Sequence, residues 1–261
     1  MARTGPRRTP ERLTVRVAVN GFETEALLNQ ELLEGTLLPA LGAVTAPRPP
    51  ARRTFVFLAG PPGVGKSTLA AVLVAQARRW GRGPLDLDAV GIDGFHYPNS
   101  YLSTHHLATG AGSVPLSTVK GAPETFDVKA LADHLETSSG YDVAWPVYDR
   151  RVHDPLPGRE PLDAGLVLVE GNWLLLDEPG WRELSRHAAF IIFLTADPRL
   201  LRDRLVDRKI RGGLSPQAAA EFYERSDRLN VERVLTCSDL SKVDLTLHLR
   251  ADGTIHQGDP Q

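Results

Sequence analysis

Cysteine is almost missing from this chain: its 261 residues include a single one, Cys237. An internal disulfide is thereby excluded, which fits a reducing compartment. With no partner motif around it, Cys237 reads as a small buried hydrophobe and not as a nucleophile. An excess of charge of one sign is also missing. The 30 Lys and Arg are balanced by 32 Asp and Glu, for a formal net charge of −2. Such a balance argues against the broad cationic surface of a generic nucleic-acid or anionic-membrane binder. No apolar run approaches the roughly 18 residues that a membrane span needs. The first residues carry no hydrophobic signal core. The expectation is a soluble, cytoplasmic protein with no nucleic-acid and no membrane partner. Internal repeats are absent, and low complexity is confined to the first 12 residues.

What is present is a phosphate-binding loop. The run Gly60-Pro61-Pro62-Gly63-Val64-Gly65-Lys66-Ser67 fits G-x-x-x-x-G-K-[ST] without a mismatch. A short β-prone run, Thr54 to Ala59, precedes it, and an alanine- and leucine-rich stretch from Thr68 to Trp80 follows at helical spacing. Strand, glycine loop and helix are the context that gives the motif physical content. Glycines let successive N–H groups converge on one concavity at a helix N-terminus, where a phosphate sits. Pro61 and Pro62 have no N–H to give and stiffen the turn. The donors that remain are the amides of Gly63, Val64, Gly65, Lys66, Ser67 and Thr68. Lys66 is expected to reach the outer phosphates of a nucleotide, and the Ser67 hydroxyl to ligate Mg²⁺.

The length suits one α/β domain with decorations. Residues 1–12, rich in Arg, Pro and Thr, read as a disordered tail. Two alternating runs around Asn20-Gly21 predict a β-hairpin. A helix over roughly 29–41 follows and ends at the Pro-rich linker 46–51. This extension, 13–51, is too small for a core of its own and must dock on the body, 52–261. The body alternates strands at 54–59, 85–92, 143–148, 165–170 and 189–194 with helices at 66–79, 127–138, 198–211 and 215–229, then a hairpin-like stretch at 243–256. Alternation predicts a mainly parallel sheet in a three-layer α/β sandwich. The runs Leu166–Val169 and Phe190–Leu194 are apolar throughout, as strands buried on both faces are. Residues 94–126 form a long loop, a length that usually carries function.

Ligands of open α/β sheets bind beyond the carboxyl ends of the strands, so acids that end strands are site candidates. Asp93 ends the second run. A carboxylate there suits a base that takes the proton of an attacking alcohol; the alternatives are a water-mediated Mg²⁺ contact or a turn cap. Glu170 ends the fourth run and reads as a metal-associated acid, or else as a structural carboxylate accepting backbone N–H bonds.

Together with the loop, the Asp93-Gly94-Phe95 turn and the runs Lys120–Asp127, Trp145–Arg150 and Val169–Leu175 resemble the uridine kinase / phosphoribulokinase / bacterial pantothenate kinase superfamily. The resemblance extends to a YggC-type bacterial branch, named as nucleoside/nucleotide or fructose-transport-system kinases, over nearly the whole chain. It implies a P-loop NTPase fold, ATP and Mg²⁺ as cofactors, Asp93 as general base and Glu170 as the metal-associated acid. Tyr148 and His153 match a Tyr and a His that touch the acceptor in nucleoside kinases, and Arg150 and His96 lie in the same matching runs. His96 equally suits a turn histidine bonded to backbone. The Asp93–Asn99 run is closer to the pantothenate kinase version, so the two patterns are mixed. Residues 198–214 resemble a lid, with Arg204 and Arg208 closing over the triphosphate; the alternative is a solvated helix laced with i,i+4 pairs. The segment 226–230 is a candidate wall of the adenine pocket. A homodimer is the form such relatives commonly take.

These readings point to a small-molecule kinase acting on a sugar or sugar derivative, with a nucleoside or pantothenate-like acceptor as the alternative. An NTP-hydrolysing switch or a regulator that has lost chemistry is the reading of a different class. Against the switch, the chain has no Asn-Lys-x-Asp run for guanine. Against the regulator stands the intact set Lys66, Ser67, Asp93 and Glu170.

Overall fold

Alternate side chains of the central strands enter two separate cores, and this two-sided burial sets the architecture. The computed structural model describes residues 12–19, 21–44, 53–110 and 112–258. The expectations for residues 1–11, Asn20 and the linker 46–51 lie outside them. Arg12, assigned above to the tail, is the first residue of a strand.

In chain order the elements begin with β1 (Arg12–Val19), β2 (Phe22–Asn29) and a helical run α1 (30–43) that contains a π turn at Leu33–Leu37. Next come β3 (Thr54–Ala59), α2 (Lys66–Ala77), β4 (Leu87–Gly91), α3 (Asn99–Thr104), β5 (His106–Thr109) and β6 (Gly112–Pro115). They are followed by α4 (Val128–Gly140), β7 (Trp145–Asp149), β8 (Asp154–Glu160), β9 (Leu166–Gly171) and β10 (Ala188–Ala196). The chain ends with α5 (Pro198–Arg211), α6 (Pro216–Phe222), α7 (Arg228–Cys237), β11 (Leu245–Leu249) and β12 (Ile255–Gln257).

The main sheet has the order β12-β11-β10-β3-β9-β4, parallel except for β12 at one edge. Val56 and Leu58 of β3, Leu168 of β9 and Ile192 and Leu194 of β10 pack with α2 and the N-terminal extension. Phe55, Phe57, Val167, Val169, Ile191 and Phe193 enter the opposite core with Leu131 and Leu135 of α4. The extension docks as expected. Val15, Val17, Ala26 and Leu28 of the hairpin, and Leu32, Leu33, Leu37, Leu38 and Leu41 of α1, join the core built on α2. Each buried leucine is worth about 1.5–3 kcal/mol, so the extension gains from the body what it cannot supply itself.

Four further expectations change. The run at 143–148 is not a strand of the parallel sheet: β7 pairs antiparallel with β8 in a separate ribbon. Pro146, Pro155 and Pro157 explain this, since a residue without an N–H is excluded from a central ladder. Trp145 ties the ribbon to the end of β4 by donating its indole N–H to the Gly91 carbonyl at 2.8 Å. The helix at 215–229 runs further, as α6, a π turn at Tyr223–Asp227 and α7, because Val231 and Val234 continue the buried stripe. Cys237 is exposed, not buried, as the last residue of α7 and off that stripe. The loop at 94–126 contains α3 and the β5–β6 hairpin. Among the described residues no helix is long and apolar enough to cross a membrane.

Candidate active site

The phosphate-binding loop joins β3 to α2 at the carboxyl end of the parallel strands. Gly65 is the N-cap of α2 at φ +104°, a left-handed conformation that glycine adopts at little cost. The lysine ammonium is buried and fully engaged. Lys66 Nζ donates to the carbonyls of Gly60 (2.9 Å) and Pro61 (3.0 Å) and to Asn172 Oδ1 (2.6 Å). Beside it the Ser67 hydroxyl donates to Glu170 Oε1 at 2.6 Å. Thr68 follows in the first turn of α2.

Burial pulls the Lys66 pKa from 10.5 down to about 8, against the opposing pull of Glu170 and Asp93. Burial pushes the Glu170 carboxyl up, with Lys66 holding it down and Asp93 adding to the rise. By surface area the Glu170 residue is only half-buried, while its carboxyl lies against Ser67. Between pH about 8 and 10.5 the unfolded chain binds more protons than the folded one at Lys66. This group therefore adds stability to the ligand-free protein as pH rises through that window. A triphosphate favours the charged form. Affinity for ATP should accordingly fall above pH about 8, approaching tenfold per pH unit. Calorimetric titration across pH 7–10 checks this, and a flat profile would contradict it.

Asp93 lies in the 3₁₀ turn Ile92–Phe95 that directly follows β4. Its side chain is 48% exposed, and Arg150 Nη2 is 3.4 Å from its Oδ2. So long and exposed a pair is weak. The Asp93 charge acts on Lys66 and Glu170 on one side and on His96 and Tyr148 on the other. Its charge thus couples both to the phosphate loop and to the Tyr148–His96 wall. Backbone packing holds the turn: a Cβ on Gly94 would lie 2.1 Å from the Pro146 carbonyl oxygen. Gly94→Ala should destabilise the protein by about 1–3 kcal/mol or more through overpacking, and an unchanged melting temperature would refute that contact.

His96 Nδ1 is 2.9 Å from the Asp93 carbonyl, which assigns the ring proton to Nδ1 and leaves Nε2 as an acceptor. The ring packs on Phe126, tilted by 36° at 3.7 Å between centroids, and lies 5.4 Å from the Tyr148 ring. Burial lowers its pKa, favouring the neutral form. The Tyr148 hydroxyl is pushed up to about 12, first by burial and then by Asp93, so it remains protonated. His153 is exposed and meets its neighbours through its carbonyl, which accepts from Lys120 Nζ at 2.6 Å and Asn99 Nδ2 at 2.9 Å.

The faces of α5 meet different surroundings. Arg204 Nε donates to the Gly63 carbonyl at 2.8 Å. Arg208 is open on one side, yet burial lowers its pKa, and the charges of Asp227, Arg150 and Asp93 reach it. Elsewhere on the helix Arg211 and Asp207 form an exposed i,i+4 pair at 2.9 Å. In the 226–230 segment the Asn230 amide lies against Gly121, within the Lys120–Asp127 run.

Asn172, Lys120 and Asn99 were not singled out as site residues above, although each sits in a quoted run. Asn172 follows the strand-ending Glu170-Gly171, which was the signal available for it. Among the described residues no cluster of three or more His, Cys, Asp or Glu could hold a metal. Ser67 and Glu170 place two oxygen donors side by side at the loop.

No family model matches the chain. It is 41% identical over 246 residues to the protein YggC of Escherichia coli K12, covering 94% of this chain and 99% of that one. It is 32% identical over 227 residues to the pantothenate kinase of Parvibaculum lavamentivorans, covering 78% and 66% of the two. Among solved structures it resembles a Silicibacter sp. TM1040 protein described as a fructose transport system kinase. That match has a TM-score of 0.67 at 31% identity and covers 78% of this chain and 96% of that one.

Proposed function

The chain belongs to the P-loop kinase superfamily of uridine kinases, phosphoribulokinases and bacterial pantothenate kinases, phosphotransferases with alcohol acceptors, and on that footing we propose that it moves the γ-phosphoryl group of ATP to a hydroxyl of a small metabolite. The observation that carries this reading is Asp93. Its carboxylate is half-exposed with one long ion pair, and its charge reaches both the loop lysine and the Tyr148–His96 wall.

In the proposed reaction the acceptor oxygen attacks the γ-phosphorus in line and its proton passes to Asp93. The bond from the γ-phosphorus to the bridging oxygen breaks, and its electron pair leaves with ADP. Lys66 exchanges its carbonyl and Asn172 contacts for phosphate oxygens. The amides of Gly63 to Thr68 cradle the phosphates, and Arg204 and Arg208 offset the charge that spreads over the moving group. The Ser67 hydroxyl and Glu170 carboxylate are hard oxygen donors of the kind that suits Mg²⁺, which usually takes one or two protein ligands besides substrate phosphates. Bound there, Mg²⁺ would neutralise phosphate charge.

A sugar or sugar derivative is the favoured acceptor, on the likeness to the Silicibacter protein; nucleosides and pantothenate are the alternatives. ADP release from MgATP, with and without a panel of pentoses, hexoses, nucleosides and pantothenate, tests the reading. Acceptor-dependent stimulation is the expected result. Turnover that no acceptor changes would mark a hydrolase instead.

A further inference from the structure

Lys120, in the stretch between β6 and α4, carries a cation whose hydrogen-bond partners are neutral. Its ammonium donates to Asn99 Oδ1 at 2.5 Å and to the His153 carbonyl at 2.6 Å. An ammonium has three donors, so these contacts leave one over. Among the described residues no carboxylate lies within ion-pair distance of it. Asp154 is the acid close enough to favour its charge, but one of its oxygens caps the Asn99 amide at 2.7 Å.

The position of this cation is informative. Its nitrogen lies 5.1 Å from the centroid of the Tyr148 ring, and that ring lies 5.4 Å from His96. His96 in turn feels the charges of Asp93, Lys120 and Arg150 together. Lys120 therefore shares the acceptor wall with Asp93, the proposed base. Arg150, the other cation there, faces a carboxylate, Asp93, at 3.4 Å, whereas the hydrogen-bond partners of Lys120 are neutral.

The backbone is unusual where it meets Lys120. His153 is the one non-glycine residue at positive φ among those described, at +53°, and its carbonyl receives both the Lys120 ammonium and the Asn99 side-chain amide. Such conformations tend to persist where a site needs them. A partly desolvated cation with only neutral partners is costly unless a ligand brings the opposite charge.

We propose that Lys120 is the anion-recognition point of the acceptor site, so that the acceptor is an alcohol carrying a carboxylate or a phosphate ester and not a neutral sugar or nucleoside. This rests on the phosphotransfer reading above and narrows its sugar-derivative class to charged members.

Matched pairs differing in charge test it: D-glycerate and glycerol, pantothenate and pantothenol, ribulose 5-phosphate and ribulose. Formation of phosphorylated acceptor from MgATP is measured for each, for fructose and for uridine. The best acceptor should be anionic and exceed its neutral twin in kcat/KM by about tenfold or more, about 1.4 kcal/mol. Whether glycerate and pantothenate or the phosphate ester leads tells carboxylate from phosphate recognition. Lys120→Gln and Lys120→Met should each cut that ratio to about threefold or less. Lys120→Arg, which keeps the charge, should retain most of it, as should the exposed control Lys129→Gln. A structural role for Lys120 would lower both members of a pair together and leave the ratio intact, which overturns the proposal. A neutral twin that matches or beats its anion overturns it too, as does an anionic set that is never phosphorylated. The two failures separate: a phosphorylated neutral acceptor sinks the anion point alone, whereas ATP hydrolysis without acceptor dependence sinks the kinase reading.

Discussion

Asp93→Asn is expected to bind MgATP as the unaltered protein does and to phosphorylate its acceptor roughly 100- to 10,000-fold more slowly, the range for loss of a general base. The change is nearly isosteric and removes a charge, not a contact the fold depends on. The side chain is half-exposed, and its one ion pair, with Arg150, is long. The turn that carries it is held by backbone bonds, including His96 N–H to the Asp93 carbonyl at 3.2 Å, and by the packing of Gly94 on Pro146. Folding should therefore survive, and the loss should fall on kcat. Steady-state kinetics beside a nucleotide titration separate the two quantities. A variant turning over at nearly the unaltered rate would remove Asp93 from the chemistry.

Lys66→Ala is expected to weaken ATP binding and turnover together, because the ammonium is to meet phosphate oxygens both before and during transfer. Loss of a hydrogen bond to a charged group costs about 1.5–3 kcal/mol, roughly ten- to a hundredfold in affinity, and the rate should fall further. Stability should move differently. Burying this ammonium is unfavourable enough to pull its pKa down to about 8. That offsets part of what its three hydrogen bonds and its pull on Glu170 contribute, so the alanine variant should lose less in stability than in function. Function that strains the resting fold is a common trade-off. Unchanged nucleotide affinity and rate would contradict the assignment of the loop.

The parts of the fold that could be read from the sequence are those in which one local pattern determines burial. Strands β3, β9 and β10 are apolar on both faces, and the runs that predicted them coincide with the buried strands within a residue or two. Helix α5, from Pro198 to Arg211, has a cap at Asp197 and a glycine after it, so both ends were visible. The extension docks because its leucines have nowhere else to go. What could not be read depends on distant partners. Trp145 and Pro146 look like part of a strand, and only the pairing with Asp154–Glu160 shows a separate ribbon. The exposure of Cys237 follows from where α7 stops.

The site divides in the same way. Lys66, Ser67, Asp93 and Glu170 announce themselves by motif or by ending a strand. The partner of Lys66, Asn172, lies 106 residues away in sequence, and the partners of Lys120 lie 21 and 33 residues away. Spacing carries no signal for such contacts. They arise because parallel strands bring their carboxyl ends, and the loops beyond them, to one edge of the sheet.

Phosphorus NMR of the protein with MgATP and the panel's best acceptor tests the central claim most directly. A new phosphomonoester resonance growing in step with ADP is the predicted result. Inorganic phosphate growing in step with ADP, with no ester resonance, would contradict it.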